Sequence, residues 1–394
     1  MPDLASPLDG VKVLDFSQGT SGGISTKFMA MMGADVVKVE APGTGDPARA
    51  HGPFPGDVPH PEKSGQFLYL NTNKRGVTLS LEHPTGRASA RRLVEWADIV
   101  VENFRPGQFA EWGLGYDVIE QTNPAAILVS IAQFGQSGPY RDFRGNDHIV
   151  QALGGILYVT GDPKREPLRI GGEPAEYFAG LSAFSGALVA LTYREFSGIG
   201  QHVDVSAHEG IAVAQMYSAL SYIFTGNERG RQAASPLYRV TDGQVGVSLR
   251  QQDWPGFCQM IGRPELEQDD RFKDMPARRA NQEALTAIIS EWIRDKKKQD
   301  LYHEAQKMGM TWGYICDTKD LMESPQYQHR GYFTEIDHPV AGRLTYPGMP
   351  MRWGDQSWEL RPAPLLGQHN AEVYSALLGW TPEDLALMRA TGVI

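Results

Sequence analysis

Residues 11–40, VKVLDFSQGTSGGISTKFMAMMGADVVKVE, decide the fold class of this chain. A β-branched segment at residues 11–16 leads into a glycine-rich turn, and a helical segment follows at about residues 25–32. A second β-branched segment, residues 36–39, comes directly afterwards. Two strands separated by a tight turn and a helix are typical of parallel strands that a crossover helix connects. The stretch therefore predicts an α/β fold.

The same alternation continues along the N-terminal part of the chain. It predicts further strands at residues 77–81, 99–101 and 127–131, and helices at about residues 85–96 and 109–121. Open parallel sheets bind their ligands at the carboxyl ends of the strands. The glycines of the first turn, at positions 19, 22 and 23, contain no G-x-G spacing, so NAD or FAD binding is disfavoured there.

The character of the sequence changes after Asp147. Longer helices follow, one of them opening near Pro174, and a strand is predicted at residues 202–206. Residues 226–329 are richer in charge and predict a smaller α+β module, with a strand near residues 245–249, inserted into the larger domain. The predicted boundaries are residues 1–225 for the first part of the large domain, 226–329 for the inserted domain, and 330–394 for the returning C-terminal segment.

Two stretches without charge, residues 177–193 and 210–227, predict interior helices. They carry Ser, Gln, Gly and Thr and fall short of the roughly 20 apolar residues of a membrane span, so no membrane association is expected. A helix that is apolar on nearly every side must be covered by a thick domain or by another subunit. An oligomer is therefore expected.

Composition excludes several other classes of protein. The 394 residues carry a net charge of −10, so nucleic acid is not an expected partner. Two cysteines are too few for a disulfide framework, and the N-terminus lacks the pattern of a signal peptide, which together predict the cytoplasm. Motifs of ordinary serine hydrolases, zincins and P-loop enzymes are absent, and no histidine has a partner at metal-binding spacing.

Two features could carry chemistry. Basic residues gather near the predicted strand ends, where they form either a site for a phosphorylated ligand or solvated salt bridges; they are Lys38, Arg49, Lys74, Arg75 and Arg105. Glu176 follows Pro174 at the start of an apolar helix, where the helix dipole favours an ionised carboxylate. A carboxylate in that position is more often a capping group than a nucleophile.

Seven ordered segments are distributed nearly from end to end of the chain. They are PLDGVKVLDFSQ (7–18), MGADVVKVEAPGTGDPAR (32–49), NTNKRGVTLSL (71–81), ADIVVENFRPG (97–107), FGQSGPY (134–140), ALTYREFSGIGQHVDVS (190–206) and PLLGQHNAEV (364–373). Together they resemble family III CoA-transferases, the group that includes formyl-CoA and carnitine-CoA transferases and α-methylacyl-CoA racemase.

The resemblance implies a Rossmann-like large domain built from both chain ends, a smaller inserted domain, and two subunits interlocked as a dimer. It also implies coenzyme A or acyl-CoA and a carboxylic acid as substrates, with no tightly bound cofactor. Among the residues that it places around CoA, Lys74 and Arg75 are expected to face phosphate groups. The full set is Ser17, Gln18, Gly19, Thr20, Lys38, Asn71, Lys74, Arg75, Asn103, Arg105, Phe134 and Asp147.

The family nucleophile is an aspartate four residues before a glycine at the head of the apolar helix. Here that glycine is Gly180 and Glu176 occupies the aspartate position. A glutamate can form the same acyl anhydride and CoA thioester intermediates, although its extra methylene shifts the carboxylate. The sequence thus favours an active transferase with Glu176 as nucleophile, with a CoA-binding, non-catalytic subunit of a hetero-oligomer as the alternative. Asp147 is a weaker carboxylate candidate and is expected to order the active-site loop.

The racemase branch of the family is disfavoured. Proton exchange next to a thioester needs an acid and a base on opposite faces, which that branch supplies with a histidine and an aspartate. Asn146 stands at the histidine position and Glu176 at the aspartate position.

Overall fold

The computed structural model describes residues 6–228, 230–231, 237–354 and 359–394. The chain forms two compact units, of which the first, Met1–Arg231 with His329–Ile394, contains both chain ends. The second unit is Gln232–Gln328.

A six-stranded parallel sheet forms the centre of the first unit, which confirms the predicted α/β class. Its strand order, β3-β2-β1-β4-β5-β6, is the order of a Rossmann fold. The strand predictions agree with the structure to within three residues at each end. The strands are β1 (Lys12–Asp15), β2 (Asp35–Glu40), β3 (Arg75–Thr78), β4 (Ile99–Glu102), β5 (Ile127–Ala132) and β6 (His202–Ser206).

Helices cover both faces of this sheet because alternate strand residues point to opposite sides. Val13 and Val101 pack with the helices Gly19–Met31 and Pro174–Ser197, whereas Leu14 and Val100 pack on the other face with the helices Pro84–Trp96 and Asn370–Leu378. The helices before the second unit are α1 (Gly19–Met31), α2 (Gly65–Leu70), α3 (Pro84–Trp96), α4 (Gln108–Glu111), α5 (Tyr116–Thr122), α6 (Asp147–Leu153), α7 (Ile156–Val159), α8 (Pro174–Ser197), α9 (Ala207–Ala214) and α10 (Met216–Thr225).

Helix α1 begins at Gly19, about six residues earlier than predicted. Gly22 and Gly23 therefore lie inside the helix, where close packing requires them. A Cβ atom at Gly22 would lie 2.0 Å from Ser17 Oγ, and one at Gly23 would lie 3.2 Å from Leu70 Cβ. The glycines bring the first helical turn onto its neighbours, which local sequence cannot reveal.

The helix predicted at residues 109–121 is two helices, α4 and α5. Gly113 lies between them with φ of +71°, a left-handed conformation that ends a helix. The prediction was wrong because the apolar spacing continues across this break.

The second unit holds a three-stranded antiparallel sheet, β7-β8-β9, and its own core around Phe257, Phe272 and Ile293. Its elements are β7 (Leu237–Val240), β8 (Gly243–Gly246), α11 (Trp254–Met260), α12 (Met275–Ala280), α13 (Gln282–Ile293), α14 (Lys298–Lys307), β9 (Gly313–Tyr314) and α15 (Thr318–Glu323), followed by α16 (Pro325–His329) at its boundary.

The C-terminal segment returns to the first unit and contains more regular structure than expected. The sequence indicates a helix near residues 382–389, and the structure adds a hairpin and the helix α17. The elements are β10 (Phe333–His338), β11 (Gly342–Pro347), α17 (Asn370–Leu378) and α18 (Pro382–Ala390).

Within the single chain the apolar helices α8 and α10 are only partly covered, so this chain alone does not enclose them as the prediction of interior helices requires. Helix α8 buries a row of small residues against α1 but leaves Val189 69% and Phe196 87% exposed, and α10 has no buried residue. Among the described helices, α8 alone is long and apolar enough to cross a membrane by length and composition, a test that core helices also pass. The structure thus leaves a broad apolar surface on the first unit.

Candidate active site

A cavity of about 970 Å³ opens at the carboxyl ends of β1, β4 and β5, where a sheet of this order binds ligands. Every residue that lines it belongs to the first unit. Within the described residues, no three His, Cys, Asp or Glu side chains come together as a metal site. The predicted site residues on its wall are Gln18, Gly19, Thr20, Asn103, Arg105, Phe134, Asp147 and Glu176.

The floor of the cavity is the turn between β1 and α1. Asn103 fixes this turn with two hydrogen bonds, accepting from Gln18 N at 2.8 Å and donating to Gln18 O at 2.7 Å. The next amide, Gly19 N, donates to the Asp46 carboxylate at 3.0 Å. The backbone N–H groups of Gln18 and Gly19, at the start of α1, are therefore already bonded within the protein, whereas dinucleotide-binding turns direct such groups at a pyrophosphate.

Glu176 lies in the first turn of α8 and is partly buried. Its Oε1 accepts a hydrogen bond of 2.8 Å from Nε2 of Gln133, the residue that follows β5. Gly180, one turn later, packs directly on α1, because a Cβ there would lie 2.5 Å from Ser21 O. The glycine thus brings the start of α8 down to the cavity floor and places the carboxylate on the wall.

Asp147 holds the start of α8, at the residue next to Glu176. Its Oδ1 accepts from Ala175 N at 2.9 Å, and its Oδ2 accepts from Gln151 Nε2 at 2.7 Å. Arg169 Nη2 lies 3.2 Å from the same Oδ2. Asp147 therefore satisfies a free amide at the start of α8 and is itself held by two donors. The neighbouring Asn146 side chain caps α6 by accepting from Ile149 N at 3.0 Å.

Sequence reasoning missed a second carboxylate in the cavity, Glu173. It accepts hydrogen bonds from the hydroxyl of Thr20 and, at 3.2 Å, from Gln66 Nε2. These bonds tie the segment before α8 to the cavity floor. The only local signal was its position three residues before Glu176 at the head of the apolar helix.

The predicted phosphate ligands Lys74 and Arg75 are not among the residues that line the cavity. Lys74 is buried, with Nζ 3.1 Å from Asp15 Oδ2 and 2.9 Å from Asn71 Oδ1. Arg75 pairs with Asp35 and Glu372 at the sheet edge. Asn71 is likewise buried and off the cavity wall.

Lys38 is also buried beneath the cavity floor rather than on its wall. Its ammonium group lies 2.9 Å from Asp46 Oδ2 and donates to Ser17 O. Burial opposes the ionisation of Asp15, but Lys38 and Lys74 outweigh it, so the pKa of Asp15 lies below its ordinary value. Burial lowers the pKa of Lys74 to about 8 in spite of Asp15. Ser17, whose hydroxyl donates to Asp15, belongs to the same buried network.

Besides Arg105, the arginines that line the cavity come from two segments that the prediction overlooked. Arg141 and Arg144 follow the FGQSGPY segment, and Arg169 precedes α8. Arg105 lines the cavity as predicted, but it pairs with Glu111 at 2.9 Å. Across the described residues, neither Arg141 nor Arg144 has a carboxylate partner, and Arg141 Nε is buried without a hydrogen bond. These two side chains leave positive charge available to an anionic ligand.

Glu102, at the end of β4 beside Asn103, predicts a pH dependence of stability. Burial raises its pKa to about 7, although hydrogen bonds from Ser130 and Phe104 N oppose the shift. Because the folded chain binds the Glu102 proton more tightly than the unfolded chain does, this proton contributes to stability. The contribution is complete below about pH 4.5, the ordinary pKa of the group, and it is lost as the pH rises through 7. Glu102→Gln, which keeps the shape, is therefore expected to gain about 3 kcal/mol over wild type between pH 4.5 and 8.

Urea unfolding at several pH values measures this difference. Glu95→Gln, on the exposed side of α3, is the matched control and should follow the wild type at each pH. A Glu102→Gln curve parallel to the wild-type curve would contradict the shift.

Comparisons with known proteins agree with this architecture. The model of CoA-transferase family III matches residues 8–370. Succinyl-CoA–D-citramalate CoA-transferase of Chloroflexus aurantiacus is 36% identical, over 98% of each chain. The BbsE subunit of succinyl-CoA:(R)-benzylsuccinate CoA-transferase of Thauera aromatica is 33% identical, over 92% of each chain.

A solved structure gives the same result for the fold. The crystal structure of a CaiB/BaiF family protein from Brucella suis superimposes with a TM-score of 0.86 at 32% identity, covering 95% of this chain and 100% of that one. The family match spans most of the chain, and the matched segments include those that build the cavity. This chain belongs to CoA-transferase family III.

Proposed function

We propose that this protein transfers CoA from an acyl-CoA to a carboxylic acid with Glu176 as the covalent nucleophile. The observation that carries the proposal is a partly buried carboxylate on the wall of the cavity, held by Gln133 at 2.8 Å, in a chain of this family. The carboxylate is an acyl acceptor that needs no metal or other cofactor.

The proposed reaction proceeds through balanced acyl exchanges at Glu176. Its carboxylate attacks the thioester carbonyl, the C–S bond breaks, and CoA thiolate leaves an acyl-glutamyl anhydride. The thiolate then attacks the glutamyl carbonyl and releases the donor acid, which leaves a glutamyl-CoA thioester. The acceptor carboxylate displaces CoA to form a second anhydride, and CoA thiolate attacks its acyl carbonyl. The new acyl-CoA departs and Glu176 is regenerated, with no net proton transfer.

Chemical trapping tests the nucleophile. The purified protein is incubated with an acyl-CoA and then with hydroxylamine, and the peptides are analysed by mass spectrometry. A hydroxamate at Glu176 is the expected product, because hydroxylamine captures both the anhydride and the thioester. Turnover with no modification of Glu176 would refute the assignment.

We assign the CoA phosphates to Arg141 and Arg144 in place of Lys74 and Arg75. Removing one charge-assisted hydrogen bond costs about 1.5 kcal/mol, so Arg141→Met should raise KM for acyl-CoA about tenfold with little change in kcat. The matched control is Arg389→Met on the exposed side of α18, which should keep the wild-type KM.

Steady-state kinetics with acyl-CoA and acyl-dephospho-CoA test this assignment. If Arg141 or Arg144 contacts the 3′-phosphate, the KM of the corresponding variant should be the same for acyl-CoA and acyl-dephospho-CoA. If the contact is with the pyrophosphate, the variant should have a raised KM for both substrates. Wild-type KM values in both arginine variants would contradict it.

We further propose dicarboxylic acids as the substrates. The relatives from Chloroflexus aurantiacus and Thauera aromatica are named for succinyl, citramalate and benzylsuccinate, all of them dicarboxylic. Arg169 lies on the cavity wall beside the start of α8; its Nη2 contacts Asp147 and Gly172 O, and the other guanidinium N–H groups can hold the second carboxylate. With succinyl-CoA as donor, dicarboxylic acceptors should exceed monocarboxylic acids of equal length at least tenfold in kcat/KM. Equal kcat/KM values for dicarboxylic and monocarboxylic acceptors would contradict the proposal of dicarboxylic substrates.

A non-catalytic subunit of a hetero-oligomer is the second candidate. Two observations favour it: Glu176 replaces the aspartate expected at this position, and the relative from Thauera aromatica is named as a subunit. Assay of the purified chain alone separates the two candidates. Transfer at ordinary enzymatic rates excludes the second, and activity that appears only with a homologous partner excludes the first.

We propose that the subunits form the interlocked dimer that the family resemblance implies. The support is the apolar surface on α8, α9 and α10, where Val189, Phe196, Val213, Ile223 and Phe224 are each more than 60% exposed. Surfaces of this kind are usually buried in protein interfaces. Sedimentation equilibrium should give twice the chain mass of 43.5 kDa for a homodimer. A monomer at micromolar concentration would contradict this proposal.

The proposed compartment is the cytoplasm. Both cysteines are free, and Cys316 lies on the surface. Free thiols are typical of proteins in a reducing compartment. An oxidising compartment would expose the thiol of Cys316 to oxidation.

A further inference from the structure

Gln133 occupies a constrained place at the end of β5, directly on the cavity wall. Its backbone carbonyl accepts from His208 N at 3.0 Å. Its side-chain stem lies against Gly145, where an added Cβ would be 3.2 Å from Gln133 Cβ and 3.3 Å from its Cγ. The backbone and the side-chain stem of Gln133 are therefore both fixed, and the side-chain amide contacts Glu176.

The orientation of the Gln133 amide follows from chemistry. An ionised carboxylate offers only acceptors, so the amide must present Nε2 to Glu176 Oε1, at 2.8 Å. The opposite orientation would bring two oxygen atoms together. The chosen orientation leaves Gln133 Oε1 buried without a hydrogen-bond partner among the described residues.

Three of the nearby backbone N–H groups are already engaged. Gln18 N donates to Asn103, Gly19 N donates to Asp46, and Ala175 N donates to Asp147. None of these three amides can stabilise an oxyanion without breaking its present bond. The Gln133 amide nitrogen carries two hydrogens, and the structure shows one bond from it, to Glu176.

We propose that Gln133 is a catalytic residue of CoA transfer: one N–H holds the Glu176 carboxylate for attack, and the other stabilises the oxyanion of the thioester. This inference rests on the proposed function. The attacking glutamate oxygen and the carbonyl oxygen become bonded to the same carbon in the tetrahedral adduct. A nitrogen in hydrogen-bond contact with the first is therefore next to the second.

The proposal also explains how a glutamate can act here. The extra methylene gives its carboxylate more rotamers than an aspartate has, and these must be restricted before attack. The bond from Gln133 restricts them. A shorter carboxylate at position 176 would withdraw from Gln133 and lose this support.

The experiment measures the single-turnover rate of hydroxamate formation at Glu176 together with the Kd for CoA by calorimetry. Gln133→Leu removes the donor at nearly constant volume and should slow trapping about 10²-fold while Kd stays within twofold. Gln136→Leu, in the same loop but off the cavity wall, is the matched control and should trap at the wild-type rate. Gln133→Asn, which retains a shorter donor, should fall between the wild type and Gln133→Leu.

A double-substitution cycle separates this role from a general loss of structure. In a Glu176→Asp background the carboxylate no longer reaches Gln133, so Gln133→Leu should cost less than tenfold there. Trapping by Gln133→Leu within twofold of wild type, or equal costs in both backgrounds, would overturn the proposal. Activity in Glu176→Gln would instead overturn the proposed nucleophile, so the two failures are distinguishable.

Discussion

Glu176→Gln is expected to lower kcat for CoA transfer by at least about 10⁴-fold. The amide retains the size of the side chain and can still contact Gln133, but it cannot form the anhydride. CoA should bind with unchanged affinity, because the arginines assigned to its phosphates lie in other segments. Chromatographic measurement of acyl-CoA products gives kcat, and calorimetry gives the Kd.

The matched control for this variant is Glu195→Gln, which lies near the end of the same helix and is exposed. It should keep wild-type activity. Glu176→Asp should retain some transfer, about 10²-fold below the wild type, because the shortened carboxylate no longer matches the cavity. Wild-type turnover by Glu176→Gln, or trapping at Glu173 instead, would refute the proposed nucleophile.

Asp15→Ala is expected to destabilise the fold by about 3–5 kcal/mol. The carboxylate is fully buried, accepts from Ser17 and Thr26, and faces both Lys38 and Lys74. Its removal leaves the Lys74 ammonium in the interior without a carboxylate in contact. Urea unfolding of the variant and the wild type at the same pH measures the loss.

Removal of the stranded cation tests the cause. The double variant Asp15→Leu with Lys74→Met replaces both buried charges by apolar groups and should be more stable than Asp15→Ala. Asp9→Ala, at an exposed site in the same segment, should lie within about 0.5 kcal/mol of the wild type. A double variant less stable than Asp15→Ala would show that the unpaired charge is not the source.

The buried network of Asp15, Lys38 and Lys74 could not be predicted from the sequence. Lys38 lies within β2 and Lys74 directly before β3, and the sequence predicted both as CoA-binding residues. The carboxylates that neutralise them, Asp15 and Asp46, lie elsewhere in the chain and meet them only in the folded unit. A count of basic residues along the sequence cannot distinguish a paired lysine from a free one.

The sequence predicted only some of the residues on the cavity wall, because others reach the wall only through contacts between distant segments. Gln18, Asn103 and Glu176 lie on it, as contiguous motifs indicated. Gln133 and Arg141 were missed because nothing local marks them. Gln133 is separated from Glu176 by 43 positions in sequence, and packing of α8 onto the sheet brings them together.

The sequence by itself determined the α/β class, the family to which the chain belongs, and the place of Glu176 at the head of an apolar helix. Local periodicity and unbroken motifs indicate these properties, and both depend only on residues that are neighbours in the sequence. Tertiary structure alone decided which cations face the cavity, which amides are already bonded, and that α8 and α10 present apolar surface. Such properties depend on pairings between distant segments, and the free energy of burying a charge or an apolar side chain is set by those partners.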